Sequence, residues 1–379
     1  MKVIVFALVA MVMQWSAGKR LMIVGKSGAI VRRGADLASD VVATLPKGSY
    51  AEAAGKEQEI VDKGKTKQRL QLLSPVDGWL SSNLVAAADD ERPLDRELAV
   101  AVDLAERAGE AIVAIRAAHG LDTTEKAGGQ GPVTEADRRA DALICEGLRR
   151  EFPGDSIVSE EGANADAAAE RTWYVDPLDG TKNFVLPEDD AARRDWCVLI
   201  GLVVGDVPVL GVVHRPDAGA TWTGVVRPDG SREAVRTVAG VSEPLPRLDA
   251  KALEAGPLKF AASPPVHPRF APLVAKFAGR DAEAVPMGSA GLKAALVADG
   301  SAHMYPSSFA GMHAWDVAAG HALCRATGAD LEALDGSKIA YAKDLVLSKG
   351  VLFAAPAVDA DLKTKLRAMY AAIASRPRN

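Results

Sequence analysis

Trp173-Tyr174-Val175-Asp176-Pro177-Leu178-Asp179-Gly180-Thr181 runs three strand-forming residues into a tight turn that carries two carboxylates, a proline, a glycine and a threonine. Aromatic and β-branched side chains favour a strand, and the Pro and Gly break it. Buried strands ordinarily end in small neutral turn residues, because neighbouring carboxylates repel and are costly to desolvate. A bound divalent cation removes that cost. Mg²⁺ takes carboxylate and carbonyl oxygens while keeping some of its waters, which suits phosphate chemistry. The stretch therefore predicts a metal site at the end of a strand.

Two further acidic elements flank it. Asp155-Ser156-Ile157-Val158-Ser159-Glu160-Glu161-Gly162 is a short apolar strand ending in adjacent carboxylates. Two neighbouring strands that end in acids can supply one cation from two sides. Far downstream, His313-Ala314-Trp315-Asp316-Val317-Ala318-Ala319-Gly320 opens a helix rich in small residues, which lets backbone elements approach closely. Taken singly, each has an ordinary reading: a solvated Glu pair, and an Asp316 N-cap. Asp137 stands three residues after Thr134, an approximate capping box at the positive end of a helix.

Composition bounds the rest. The chain has 379 residues, 48% hydrophobic and 25% charged, which is globular material for two or three domains. A net charge of −5 without a Lys/Arg run gives no reason to expect a nucleic-acid polymer as partner. Cys145, Cys197 and Cys324 lie far apart, so buried free thiols are expected rather than disulfides or a zinc site. Residues 1–18 have an apolar run of signal-peptide length, too short to span a bilayer. Two localisations stay open: export or endomembrane entry through that segment, and a cytoplasmic chain in which it forms a buried first strand. An uncleaved anchor is the other alternative to a cleaved signal, and no other stretch resembles a transmembrane helix.

Short alternating segments at 21–24, 29–32, 41–45 and 69–73 predict a small β-rich domain over 21–87. Residues 45–49 and 75–85 resemble the turns and closing strands of bacterial-type Src-homology-3-like barrels. In that reading Trp79 is a core aromatic, or else the contact for a peptide or surface partner. Residues 88–95 read as a linker. Helical periodicity then runs over 94–119, and again after 132–134 with Ala140, Ile144, Leu148 and Phe152 on one face. Strands are expected at 196–204, 207–213 and 221–226.

Glu160, then Asp176-x-x-Asp179-Gly180-Thr181, then Trp315-Asp316 in an Ala/Gly-rich helix resembles the signature of the inositol monophosphatase-like family over about 94–374. The resemblance implies Mg²⁺-dependent, lithium-sensitive phosphatases with an α/β fold, a layered α/β/α/β/α sandwich, here preceded by the small all-β barrel. It places the phosphatase domain at 96–376, with subdomains at 96–240 and 241–376. It implies two or three Mg²⁺ per site: Glu160, Asp176 and the Leu178 carbonyl at one, Asp176, Asp179 and Asp316 at a second, Asp137 beside a third. Thr181, paired with Asp137, would orient the water activated there. Gly180 and Thr181 would open a helix toward the phosphate.

Val158-Ser159-Glu160-Glu161, Asp179-Gly180-Thr181-Lys182-Asn183-Phe184 and Gly288-Ser289-Ala290-Gly291-Leu292-Lys293 are most similar to the 3′(2′),5′-bisphosphate nucleotidase branch, an enzyme class of sulfur metabolism. This implies adenosine 3′,5′-bisphosphate as substrate, with Ser263, His267, Ser289, Lys293 and Asp316 around it. Ala262-Ser263-Pro264-Pro265-Val266-His267-Pro268-Arg269 departs from the branch's Ser-Arg-Ser-His-like segment, and residues 186–195 are unusually acidic. Inositol phosphates, cleaved by a monophosphatase or a polyphosphate 1-phosphatase, are the alternative substrates. A non-catalytic binding protein defined by its barrel is the alternative of another class. Either a monomer or a homodimer is compatible.

Overall fold

The structure is a computed structural model in which residues 20–23, 29–35, 37–45, 50–62, 65–74, 78–81, 85–87, 92–119, 123–125, 132–162, 169–187, 190, 194–250, 256–264, 267–308, 311–343 and 345–374 are described. It divides into two compact units, Met1–Arg96 and Glu97–Asn379.

The first unit is a seven-stranded sheet of β1 (Arg20–Ile23), β2 (Ala29–Arg32), β3 (Val41–Leu45), β4 (Tyr50–Asp62), β5 (Lys65–Ser74), β6 (Gly78–Ser81) and β7 (Val85–Ala87). Its order is β3-β2-β6-β5-β4-β1-β7, and every pairing is antiparallel. Among the described residues the two end strands, β3 and β7, are not paired to each other. Strand β4 carries little apolar alternation and escapes a periodicity reading. It is held by pairing with β5, which sets Asp62 opposite Lys65 and Glu59 opposite Gln68. Trp79 is half-buried rather than a core aromatic, and its carbonyl accepts from Arg69 Nη2 at 2.7 Å. The signal-like run at 1–18, the turn at 46–49 and residues 88–91 of the linker lie outside the described residues.

The second unit is layered. Helices α1 (Asp95–His119) and α2 (Glu135–Glu151), with the small β8 (Thr123–Glu125) and β9 (Pro132–Thr134) ladder between them, precede the main sheet. That sheet runs β10 (Ser156–Ser159), β11 (Arg171–Asp179), β12 (Cys197–Val204), β13 (Val207–Arg215), β14 (Ala220–Val226), β15 (Arg232–Val238) and β16 (Val241–Pro244), in sequence order. Only β10 and β11 pair in parallel. The one-turn α3 (Thr181–Phe184) follows β11. The second sheet, in the order β18-β17-β19-β21-β20, contains β17 (Leu258–Ala262), β18 (Ala282–Pro286), β19 (Met304–Ser307), β20 (Asp330–Ala333) and β21 (Val351–Ala354). Helices α5 (Ala290–Ala298) and α6 (Ala314–Thr327) share one core with both sheets, whereas α4 (His267–Ala278) and α7 (Ala360–Ala374) close the far side. The α/β/α/β/α layering is the one expected, and all three cysteines are buried and free.

Helix α6 reaches the main sheet over a lane of glycines. Gly201, Gly211 and Gly224 are register partners on β12, β13 and β14. A Cβ on Gly201 would lie 2.7 Å from Ala319 N, one on Gly224 would lie 2.5 Å from Leu323 Cα, and one on Gly211 would overlap the Ala319 carbonyl. The helix therefore packs backbone to backbone, and this sets where its N-terminal turn falls.

On the opposite face His214 is buried beneath α1, its Nδ1 sharing a hydrogen bond with Thr221 Oγ1 at 2.9 Å. Burial pushes its pKa down to about 4. The unfolded chain takes up that proton as pH falls below about 6.5, while the fold resists it until about 4. The fold is thus expected to lose about 2 kcal/mol at this residue by pH 5, relative to pH 7. Urea melts of wild type and His214→Gln at the two pH values check this. Equal acid sensitivity in both would contradict it.

Candidate functional site

Strands β10 and β11 lie side by side with Ser159 opposite Val175, and Glu160 N donates to Val175 O at 3.1 Å. Glu160 therefore stands beside Asp176. Residues three apart on a regular strand point to opposite faces, but a bulge in the β11–β12 ladder between Asp176 and Asp179 breaks that alternation. Leu178 N donates to Asp176 Oδ1 at 3.0 Å, closing the turn. Gly180 follows at φ 95°, where a Cβ would also lie 2.7 Å from Asp195 O, so glycine is required twice over. Thr181 Oγ1 is 3.0 Å from the Leu178 carbonyl and 3.1 Å from Asp137 Oδ1, its single proton shared between two acceptors.

Asp316 arrives on α6. It is the third residue of the helix rather than its N-cap: His313 is the cap, and His313 N donates to Asp316 Oδ2 at 2.6 Å. The His313 and Trp315 rings stack at 4.4 Å. Asp179 Oδ2 accepts from Ser289 Oγ at 2.5 Å, Gly291 N at 2.6 Å and the Cys197 thiol at 3.7 Å. Ser289 is also the N-cap of α5, accepting from Leu292 N at 3.2 Å. One hydroxyl thus caps a helix and anchors a carboxylate. Replacing Ser289 by Ala is expected to lower stability by about 1–2 kcal/mol through the lost cap. It should also weaken Mg²⁺ binding about tenfold by freeing Asp179. Thermal melts and Mg²⁺ calorimetry read the two effects, and an unchanged Mg²⁺ affinity would refute the second.

Burial, then the charges of Glu160, Asp179 and Asp316, push the Asp176 carboxyl well above the usual carboxylate range. Burial, then the charges of Asp179 and Glu160, push the Asp316 carboxyl well up too, against the hydrogen bond from His313 N. Among the described residues, neither these two nor Asp179 forms an ion pair with a Lys or Arg. Buried aspartates that make no such ion pair among the described residues fit a divalent cation such as Mg²⁺. The acids are gathered but do not form a closed shell: among the described residues, no three His, Cys, Asp or Glu side chains converge as tightly as the ligands of an ion. Asp179 and Asp316 are each tethered through one oxygen by neighbouring donors.

The expected substrate residues divide. Lys293 is buried, with its Nζ 3.1 Å from Ser263 Oγ and 4.7 Å from the centre of the Tyr305 ring. Burial lowers its pKa, against the pull of Asp179 and Asp195. Ser289 faces Asp179. His267 begins α4, and its side chain lies outside the described residues. Sequence reasoning passed over Asp195, which receives Gly288 N at 3.0 Å and Arg215 Nη2 at 3.2 Å and so fixes the loop before α5. Nothing local in the sequence marks it, because its partners are distant.

The sequence model of the inositol monophosphatase family matches residues 93–374. The chain belongs to this family. It is accordingly a phosphoric monoester hydrolase of a metal-dependent family. A 3′-phosphoadenosine 5′-phosphate phosphatase of Mycobacterium leprae is 34% identical over 265 residues, covering 67% of this chain and 89% of the relative. An inositol monophosphatase of Mesembryanthemum crystallinum is 40% identical over 139 residues, covering 36% of this chain and about half (49%) of the relative. The solved structure of an IMPase from Thermotoga maritima superposes with a TM-score of 0.57 at 23% identity, over 73% of this chain and 99% of that one, and so shares the fold. Among the described residues no helix is long and apolar enough to cross a membrane.

Proposed function

We propose that the chain is a Mg²⁺-dependent 3′(2′),5′-bisphosphate nucleotidase that hydrolyses adenosine 3′,5′-bisphosphate to AMP and phosphate. The observation that carries the metal-dependent reading is the convergence of Glu160, Asp176, Asp179 and Asp316 from three elements, with no Lys or Arg ion-paired to the aspartates among the described residues. Those residues and the Leu178 carbonyl would hold the Mg²⁺, with Asp137 beside any third ion. Bound Mg²⁺ supplies an acidified water and neutralises charge on the phosphate.

The side chains do the rest. Thr181 donates toward Asp137, which leaves its oxygen lone pairs to accept from the attacking water and aim it. Glu160, half-buried where Asp176 and Asp179 are buried, would take the water's proton. Lys293, held beside Ser263, sets a positive charge against a substrate phosphate. The nucleotide substrate rests on the longer of the two alignments, to the 3′-phosphoadenosine 5′-phosphate phosphatase, and on Lys293.

The shorter, more identical match favours an inositol phosphate as the second reading. Phosphate release is to be measured with Mg²⁺ on adenosine 3′,5′-bisphosphate and on inositol 1-phosphate. A preference above about tenfold for the nucleotide is the expected result. The reverse preference would replace the substrate, and no release from a wider panel of nucleotide and sugar phosphates would end the enzymatic reading. The first unit is read as a separate module for a peptide or surface partner, on which this chemistry does not draw.

A further inference from the structure

Helix α2 presents two aspartates four residues apart, and so on one face: Asp137 and Asp141. Asp137 Oδ1 accepts from Thr181 Oγ1 at 3.1 Å. Asp141 Oδ1 accepts from the hydroxyl of Ser159, and from the Cys145 thiol at 3.4 Å. Thr181 follows Asp179 by two residues, and Ser159 immediately precedes Glu160. One helix face thus holds both acid-bearing loops, each through a hydroxyl.

Helix-start electrostatics account for Asp137 in the first turn but fade before Asp141. Aspartates four apart on a helix repel, so intrinsic helix stability does not explain the second one either. What Asp141 touches does explain it. Ser159 is buried at the end of β10, and Asp141 is the carboxylate on α2 that accepts from its hydroxyl.

We propose that Asp141 is a positioning residue for the metal centre. Through Ser159 it sets the direction in which Glu160 leaves β10, and together with Asp137 it makes α2 a bar that fixes Glu160 relative to Thr181. This deepens the proposed function and rests on the Mg²⁺ centre in that reading.

The test is Mg²⁺ affinity by titration calorimetry on the full chain, alongside thermal melts in chelator and phosphate release. Asp141→Ala and Ser159→Ala are each expected to weaken Mg²⁺ binding about tenfold, within the range for partners that orient metal ligands. The double variant should be no worse than either single, since both remove one bond. Asp141→Asn keeps an acceptor oxygen for Ser159 and should bind Mg²⁺ nearly as the wild type does. Asp141→Ala binding Mg²⁺ with wild-type affinity while its melting point falls would reduce Asp141 to a structural role and overturn the proposal. If Asp141→Ala does not fold, Ser159→Ala and Asp141→Asn decide by the same criterion. Wild type that binds Mg²⁺ but releases no phosphate would defeat the phosphatase reading and leave this inference standing. Wild type that binds no Mg²⁺ would defeat both.

Discussion

Replacing Asp176 by Asn is expected to abolish Mg²⁺-dependent phosphate release and, in chelator, to raise the melting point. The two effects have one cause. Asp176 is buried among Glu160, Asp179 and Asp316, and its carboxyl is held well above the usual range. The unfolded chain ionises this group near its ordinary value of about 4, whereas the fold resists ionisation until a much higher pH. Metal-free stability is therefore lost as pH rises above the unfolded value, and at neutral pH the penalty is present. Asn keeps an oxygen for Leu178 N, needs no proton to stay neutral, and offers a donor toward the neighbouring acids. A metal-free gain on the order of 1–3 kcal/mol follows from abolishing the cost of holding that carboxyl protonated. For a unit of this size that corresponds to several degrees.

Mg²⁺ should stabilise the wild type, because it binds the fold and not the unfolded chain. The variant should gain little from Mg²⁺, and its rate should fall by about a thousandfold or more, if Asp176 holds the ion as proposed. Calorimetry with and without Mg²⁺, beside a phosphate assay, reads all three effects. A variant that melts lower than wild type in chelator would show that these carboxylates do not strain the fold.

The second large effect is expected at Gly211, far from any reacting atom. Its added methyl would overlap the Ala319 carbonyl, which belongs to a helix backbone that cannot move alone. Gly211→Ala is therefore expected to cost about 3 kcal/mol, the upper part of the range for overpacking. The melting point should fall by roughly 6–12 °C. Helix α6 also carries Asp316, so any variant that folds should bind Mg²⁺ more weakly. Gly154→Ala is the control: nothing lies within 4 Å of a Cβ there, and it should change stability by less than about 0.5 kcal/mol. A Gly211→Ala protein as stable as the control would mean that α6 does not rest on the glycine lane.

Much of this is legible in the residues themselves. The chemistry of residues 173–181 follows from a buried strand ending in two acids, and the β-branched and apolar periods locate α1, α2 and β12 to β14 closely. Strand β4 shows no apolar period, and only the resemblance of residues 45–49 to a turn before a central strand points to it, because its strand character comes from pairing with β5. The third position of Asp316 in its helix was mistaken for the cap, since His313 is a rare capping residue and the reciprocal bond shows only in three dimensions. Asp137 reads locally as a helix-start residue; its pairing with Thr181 is expected only from the family resemblance, because that bond crosses between elements.

The sequence alone determined the elements of the second unit, the acids at a strand end, and the hard-cation character of those oxygens; the phosphate ester came only with the family resemblance. The first three are local properties, set by side-chain period and by the charge and hardness of the oxygens. Only the tertiary structure decided that the bulge between Asp176 and Asp179 interrupts the strand's alternation, that Gly201, Gly211 and Gly224 fall in register beneath α6, and that Asp141 reaches Ser159. Each depends on register and close approach between distant segments, which no local pattern encodes. The 173–181 turn supplies the charge, and the packing around it decides where that charge is held.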